Sequence, residues 1–581
     1  MASRFLSWLS LLLGFFLFIS NIPSSSANWN TRPLDPGTGL PVKPTEAVTV
    51  QPQADGSGAK PFYRRLLDLN PFRRPASRKH NRIEQYWWGN ERMLDQLRYY
   101  EDQVVIRFNV STKEDEAALR GGIDRMLVDV WDFTANYTDI RLGPEKRIRA
   151  FLSLLPESLR SSYSVLIPNV GRAIAATYPP STPEIDSELQ SVLHNRGSTT
   201  PNMQSPRRRG VDDLFFQDFQ PLTVITTWMR LLESMFRGRG LVRMISIGKS
   251  YEGRDIPALR VGLGSQDEGN SRRDTILITG GLHAREWITM STVNYIAWSF
   301  ITSVDDDPMI NRILQNFDII FVPVLNPDGY EYTWEVDRLW RKTRQPTSLS
   351  TCPGYDLDHT FGYQWNEMNH QFSYYDEECS ESYGGHAPFE AVEACELADW
   401  ARNMTEDGAN FVGFFDLHSY SQQILFPYEY SCEAYPPNEE NLEEVAYNLA
   451  KHMRLTNGEV YTVGSACEGA VASEHTLGSP LSGSDRARIE NRGGSLTDYV
   501  FHELDVPYSY QIKLRDTGSY GFLLPSENIV PTGQELVQAM KYFGDYLLGN
   551  NGHEFGVSDA NKPEDAITEL RKRSTIHMRR R

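Results

Sequence analysis

From residue 213 to about 550 the chain alternates two kinds of segment. Short runs are apolar at nearly every position, and longer segments place apolar residues three or four positions apart. The short runs at 274–280, 317–325, 411–416 and 506–514 predict strands, that at 317–325 a long buried one. The longer segments at 286–304, 391–401 and 442–455 predict helices. Such alternation implies an α/β domain with a mixed, largely parallel sheet covered by helices, whose sites gather at the C-terminal ends of strands. Upstream, residues 84–176 carry a different pattern. Residues 103–108 alternate as a strand. Residues 114–131 have helical spacing, with Leu119, Ile123, Met126, Leu127 and Val130 on one side. A strand at 138–142, a helix at 144–155 and a strand at 163–167 follow, with room for a short fourth strand. The expected product is a small α+β sandwich.

The ends and joins lack both periods. Arg4 followed by an apolar run over 5–19 and small residues up to Ala27 reads as a signal peptide over residues 1–27. The competing reading, a membrane anchor, needs about 20 apolar residues and the run is shorter, so no span is expected in the mature chain. Residues 28–83, rich in Pro, Gly, Ser and Arg, predict a disordered basic arm. Residues 177–212 read as a linker and 551–581 as a disordered tail. A formal net charge of -18 argues against nucleic acid, which needs a basic face. Secretion permits disulfides, and five cysteines leave at least one unpaired. Sequons at Asn109, Asn136 and Asn403 extend the case for a secreted or vacuolar glycoprotein.

The candidate chemistry lies at strand ends. His283 and Glu286 follow the strand at 274–280, and His418 follows the strand at 411–416. Two histidines and a glutamate suit a catalytic zinc site, which takes three protein ligands and keeps one position open. Alone, a His-x-x-Glu is equally a hydrogen-bonded histidine at a strand end. The flanking residues change this. Gly280-Gly281-Leu282-His283-Ala284-Arg285-Glu286-Trp287, Asn326-Pro327-Asp328-Gly329-Tyr330, Arg338-Leu339-Trp340-Arg341, Leu417-His418-Ser419-Tyr420-Ser421-Gln422 and Leu514-Arg515-Asp516-Thr517-Gly518-Ser519-Tyr520-Gly521-Phe522 occur in this order. Together they resemble the carboxypeptidase A/B type of zinc peptidase. The resemblance implies one Zn²⁺ held by His283, Glu286 and His418. It implies that Arg341 polarises the scissile carbonyl and that Arg285, Ser419 and Tyr420 line the substrate groove. It also implies disulfides Cys352–Cys379 and Cys432–Cys467, with Cys395 left over and buried, and an activation domain of ferredoxin-like form over 84–176.

Three positions break the family pattern. The general base is a glutamate in the family and Lys513 here. Residues 511, 513 and 515 share one face of a strand, so Lys513 points where the base would point. A protonated lysine cannot take a proton from the attacking water, and loss of general-base work typically costs about 10²–10⁴-fold. The family's asparagine and arginine that grip a C-terminal carboxylate are Asp358 and His359. An aspartate repels the carboxylate that a guanidinium fork would bind. The mobile tyrosine is missing; Ile489 is its ungapped match. A pairing of Lys513 with Asp358 across the old pocket would accommodate both charge changes. The expected protein is a zinc-binding pseudoenzyme, and the substitutions resemble those of fungal inactive metallocarboxypeptidase-like proteins linked to cell-wall organisation. Two alternatives stay open: an active hydrolase with an altered base and specificity, and a module that binds a peptide or cell-wall-related ligand without turnover.

Overall fold

The computed structural model describes residues 91–179, 214–264, 273–349, 351–365, 378–469 and 493–549, apart from 127 and 135. The signal peptide, basic arm, tail, nearly all of the linker, Leu127 and Ile489 lie outside the described residues.

The N-terminal elements are α1 (Glu91–Tyr100), β1 (Val104–Asn109), α2 (Lys113–Met126), β2 (Asp129–Phe133), β3 (Tyr137–Leu142), α3 (Glu145–Leu154), α4 (Glu157–Ser162), β4 (Tyr163–Ile167) and α5 (Val170–Thr177). The strands form an antiparallel sheet in the order β2-β3-β1-β4. Ile106, Phe108, Ile140 and Phe133 pack with Leu119, Ile123 and Phe151 of α2 and α3 in one apolar cluster. The helix expected over 114–131 is therefore too long. It stops at Met126, and the fourth strand, β2, takes its C-terminal part. A register break between Val130 and Asp132 explains the misreading. The bulge sets two apolar residues, Val130 and Trp131, side by side and hides the period of two.

The larger sheet contains β5 (Val242–Lys249), β6 (Asp255–Val261), β7 (Asp274–Gly280), β8 (Phe317–Val322), β9 (Asn410–Ser419), β10 (Gln423–Phe426), β11 (Thr462–Ser465) and β12 (Ser509–Leu514). Their order is β11-β10-β12-β9-β7-β8-β6-β5. The centre is parallel, β12 to β9 to β7 to β8, and antiparallel strands flank it. Helices α6 (Leu222–Phe236), α7 (Trp287–Thr302), α8 (Pro308–Asn316), α9 (Pro327–Glu335), α10 (Val392–Glu406), α11 (Glu439–Asn457), α12 (Leu496–Glu503) and α13 (Ile529–Leu547) surround it.

Successive strand residues face opposite cores. Ile276, Ile278, Ile319, Phe321 and Phe415 join the cluster that includes α7 and α13. Leu277, Ile320, Val322 and Phe414 join the cluster beneath α10 and α12. This explains the apolar stretch Phe411–Phe415: all ten residues of β9 are buried. The strand expected over 317–325 ends at Val322 and that over 506–514 begins at Ser509. Pro323 and Pro507 bound them, since proline cannot donate to a ladder. Gly281, at φ +67°, turns the chain from β7 toward α7, and a Cβ there would press on Val324 and the Pro323 carbonyl at 3.1 Å. That turn carries His283 and Glu286.

One acid in the second core gives the fold a pH signature. Burial pushes the Glu393 carboxyl, on α10, up to about 7. The unfolded chain releases this proton near the ordinary pKa, so between about pH 4.5 and 7 the folded state binds more protons. Stability should therefore fall as pH rises through that window, by on the order of 3 kcal/mol at most from this group. Urea midpoints measured from pH 4.5 to 8 should show this slope in the wild type and a shallower one in Glu393→Gln.

Candidate metal centre and groove

His283 and Glu286 lie on the turn from β7 into α7, with Glu286 at the helix N-cap position. His418 is the penultimate residue of β9. All three are about 97% buried. His283 Nδ1 lies 2.9 Å from Glu286 Oε1, His418 Nδ1 lies 3.3 Å from Glu286 Oε2, and the two Nδ1 atoms are 3.2 Å apart. On its far side each ring meets a carboxylate: His283 Nε2 is 2.8 Å from Asp356, and His418 Nε2 is 2.9 Å from Asp416. Thr279 in turn donates to Asp416 at 2.6 Å. With Nε2–H donated outward, both Nδ1 lone pairs and the Glu286 oxygens face one another. Two imidazole nitrogens and a carboxylate thus converge on one point, with Ser419 N–H donating to Glu286 Oε2. Tetrahedral zinc with bonds of 2.0–2.1 Å has ligand-to-ligand edges of about 3.3 Å, so the donor set fits the ion.

The electrostatics favour positive charge at this point, whether a proton or an ion. Burial opposes charge on Glu286, yet the two imidazoles hold its carboxyl well below the usual range. Burial alone would lower His418, but Asp416 and Glu286 hold its proton affinity well above the ordinary value. Asp356 is likewise held down, against its burial, by Arg341 and His283. Arg341 donates to Asp356 at 2.9 Å, and His359 Nε2 is 3.6 Å from the same oxygen.

Asp356, Leu357, Asp358 and His359 form a single tight turn. Asp358 brings its carboxylate within 4.8 Å of ligand atoms on both His283 and His418. Its oxygens accept from Leu496 N–H at 3.1 Å and Gln511 Nε2 at 3.0 Å. The pairing with Lys513 is not formed: no contact within 4.0 Å joins the two among the described residues. Gln511, two residues before Lys513 and on the same strand face, takes the partner's place. Lys513 stands beside His418 in the register of β12 and β9, and beside Gln423 of β10. Its charge bears on Glu429, whose carboxyl burial, Asp358 and Asp498 push well above the ordinary range. Burial also lifts Asp358 to about 6 and Asp498 to about 7.

The small sheet lies against the groove residues. Arg285 donates to Asp129 of β2 at 3.1 Å and stacks over Phe522. Tyr420 donates to Asp139 of β3 at 2.8 Å, and Ser421 to Asp132 at 3.0 Å. Trp131, on the β2 bulge, packs on Phe522 with centroids 5.1 Å apart. Ser419 is buried beside the metal ligands, and its N–H donates to Glu286 at 3.0 Å. A cavity of about 200 Å³ remains between sheet and groove, lined by Asp129, Arg141, Arg147, Arg285, Arg341 and Glu381.

Both expected disulfides, Cys352–Cys379 and Cys432–Cys467, are formed. Cys395 is half-buried rather than buried, and burial and Asp399 push its thiol up. Asn109, Asn136 and Asn403 are exposed. Sequence reasoning missed Asp356, Asp416, Asp498 and Glu429. Asp416 was detectable as an acid two residues before a ligand histidine, on the same strand face. The others required the fold.

A family model described as zinc carboxypeptidase matches residues 225–539. The chain belongs to the zinc carboxypeptidase family. It is 51% identical over 471 residues to the inactive metallocarboxypeptidase ecm14 of Sclerotinia sclerotiorum, covering 80% of this chain and 76% of that one. It is 45% identical over 547 residues to the inactive metallocarboxypeptidase ECM14 of Ajellomyces capsulatus, covering 93% and 86%. In fold it is similar to thrombin activatable fibrinolysis inhibitor, with a TM-score of 0.60 at 24% identity over 77% of this chain and 98% of that one. Carboxypeptidase A of Helicoverpa armigera aligns with a TM-score of 0.59 at 21% identity, covering 77% and 97%. Among the described residues no helix is long and apolar enough to cross a membrane.

Tyr420 ties the two sheets together through one buried charged acceptor. Tyr420→Phe should cost roughly 1–3 kcal/mol, read as a lower urea midpoint with faster amide exchange in β3.

Proposed function

We propose that this chain is a zinc-binding pseudoenzyme of the carboxypeptidase family, secreted or vacuolar and glycosylated at Asn109, Asn136 and Asn403. In this reading one zinc ion sits between His283, Glu286 and His418. The observation that carries the loss of activity is the register of β12: Lys513 pairs with His418 and shares its sheet face. Zinc, when bound, supplies Lewis-acid polarisation of a carbonyl. The proton transfers that peptide hydrolysis also needs fall to a side chain at position 513. An ammonium there neither accepts a proton from water nor tolerates a neighbouring dication. Asp358, whose oxygens are already engaged, and His359, turned toward Asp356, replace the pair that would hold a substrate carboxylate. Arg341, matched to the carbonyl-polarising position, is bound to Asp356. The names of the two fungal relatives, inactive metallocarboxypeptidases, agree with this reading.

The 84–176 segment acts as an activation-domain-like cover. Its Asp129, Asp132 and Asp139 occupy Arg285, Ser421 and Tyr420. A role in cell-wall organisation follows from the resemblance to the fungal proteins alone. A second reading, capture of a peptide or cell-wall-related ligand without turnover, is favoured by the arginine-lined cavity under the cover.

The purified protein should contain zinc and leave a broad library of peptide C-termini uncut. The triple variant Lys513→Glu, Asp358→Asn, His359→Arg should regain zinc-dependent cleavage once the 84–176 segment is released by proteolysis. Cleavage by the wild type would refute the pseudoenzyme reading. Asp356→Asn should weaken zinc binding about 10–100-fold, measured by chelator competition.

A further inference from the structure

From the placement of Asp358 we infer that it is a fourth protein ligand, which closes the coordination shell and makes the bound ion structural instead of catalytic. The inference rests on the metal reading above and concerns the position that a catalytic site leaves open.

Three observations converge. First, the Asp358 carboxylate lies within 4.8 Å of ligand atoms on both imidazoles and is 4% exposed. The edge of a tetrahedral zinc site is about 3.3 Å, so at most about 1.5 Å separates the carboxylate from that spacing to the two imidazoles. Second, the carboxylate is aimed. The turn that carries Asp358 also carries Asp356, which holds His283 Nε2. Leu496 N–H and the Gln511 amide each donate to one Asp358 oxygen. An ionised carboxylate has about four lone-pair sites, so two remain for a cation. Carboxylate oxygen is an ordinary zinc ligand; the neutral amide that the family pattern has at this position is not among the usual ones.

Third, Asp358 supplies a negative charge that position 513 does not. In the family pattern the ion faces two carboxylates, one a ligand and one the base. Here the base position carries Lys513, beside His418. An ion held by Glu286 alone would have the half-buried Lys513 on the strand beside His418, and like charges repel. Asp358 restores the missing negative charge at the ion. The changes at 513 and 358 are thus one exchange: a carboxylate has left the catalytic position and entered the coordination shell. Structural zinc sites have four protein ligands and no open position, which accounts for retaining the metal after losing the base.

The test uses the full-length protein loaded with Co²⁺, whose visible spectrum reports coordination, titrated with azide as a small exogenous ligand. The wild type should keep its spectrum unchanged. Asp358→Asn should bind Co²⁺ about 10–100-fold more weakly and shift its spectrum with azide. Asp358→Glu, which keeps a carboxylate, should remain unresponsive to azide. An azide shift in the wild type, or equal metal affinity in Asp358→Asn, overturns the inference while leaving the metal site standing. A wild type that binds no more metal than His283→Ala overturns the metal reading itself.

Discussion

Two imidazole nitrogens 3.2 Å apart, with a carboxylate against both, are stable in a buried place only if positive charge lies among them. Everything around the centre serves that demand. Parallel strands β7 and β9 end side by side and deliver the two histidines to one point. Asp356 and Asp416 take the outward protons and turn the lone pairs inward. Thr279 and Arg341 hold those two acids in place. Without these supports the same three residues would be ordinary buried polar groups. With them, the arrangement survives although the neighbouring strand no longer carries a base.

The consequences of Lys513 spread through the pocket instead of stopping at one residue. The Lys513 charge bears on Glu429, whose proton affinity burial, Asp358 and Asp498 raise, and Asp358 likewise raises that of Asp498. A peptide carboxylate entering this pocket would meet Asp358 and His359 where the family pattern has an amide and a guanidinium. Position 513, position 358 and the neighbouring acids therefore read as a single redistribution of charge around His283, Glu286 and His418.

The N-terminal sheet meets the larger domain through charge as well as apolar surface. Asp129 is held well below the carboxylate range, against its burial, by Arg285 and Arg141. Asp139 receives both Arg107 and Tyr420. Removing one member of such a buried network leaves the rest without compensation. The cover over the groove is therefore specific, and the bulge that misled the helix assignment is the same one that aims Trp131 at Phe522.

The sequence by itself determined the sheet-and-helix alternation, a local property of apolar spacing; the candidate metal ligands, the disulfide pairing and the changed base position followed from its resemblance to the zinc carboxypeptidases. It misplaced the end of α2, because a bulge erases the period that marks a strand. Only the tertiary structure decided that Asp356 orients His283, that Gln511 and not Lys513 takes Asp358, and that Glu429 and Asp498 share its pocket. Those partners lie 69 to 153 residues apart along the chain. Electrostatic contacts over such separations exist only once the sheet has set its strand order and register, which no local pattern encodes.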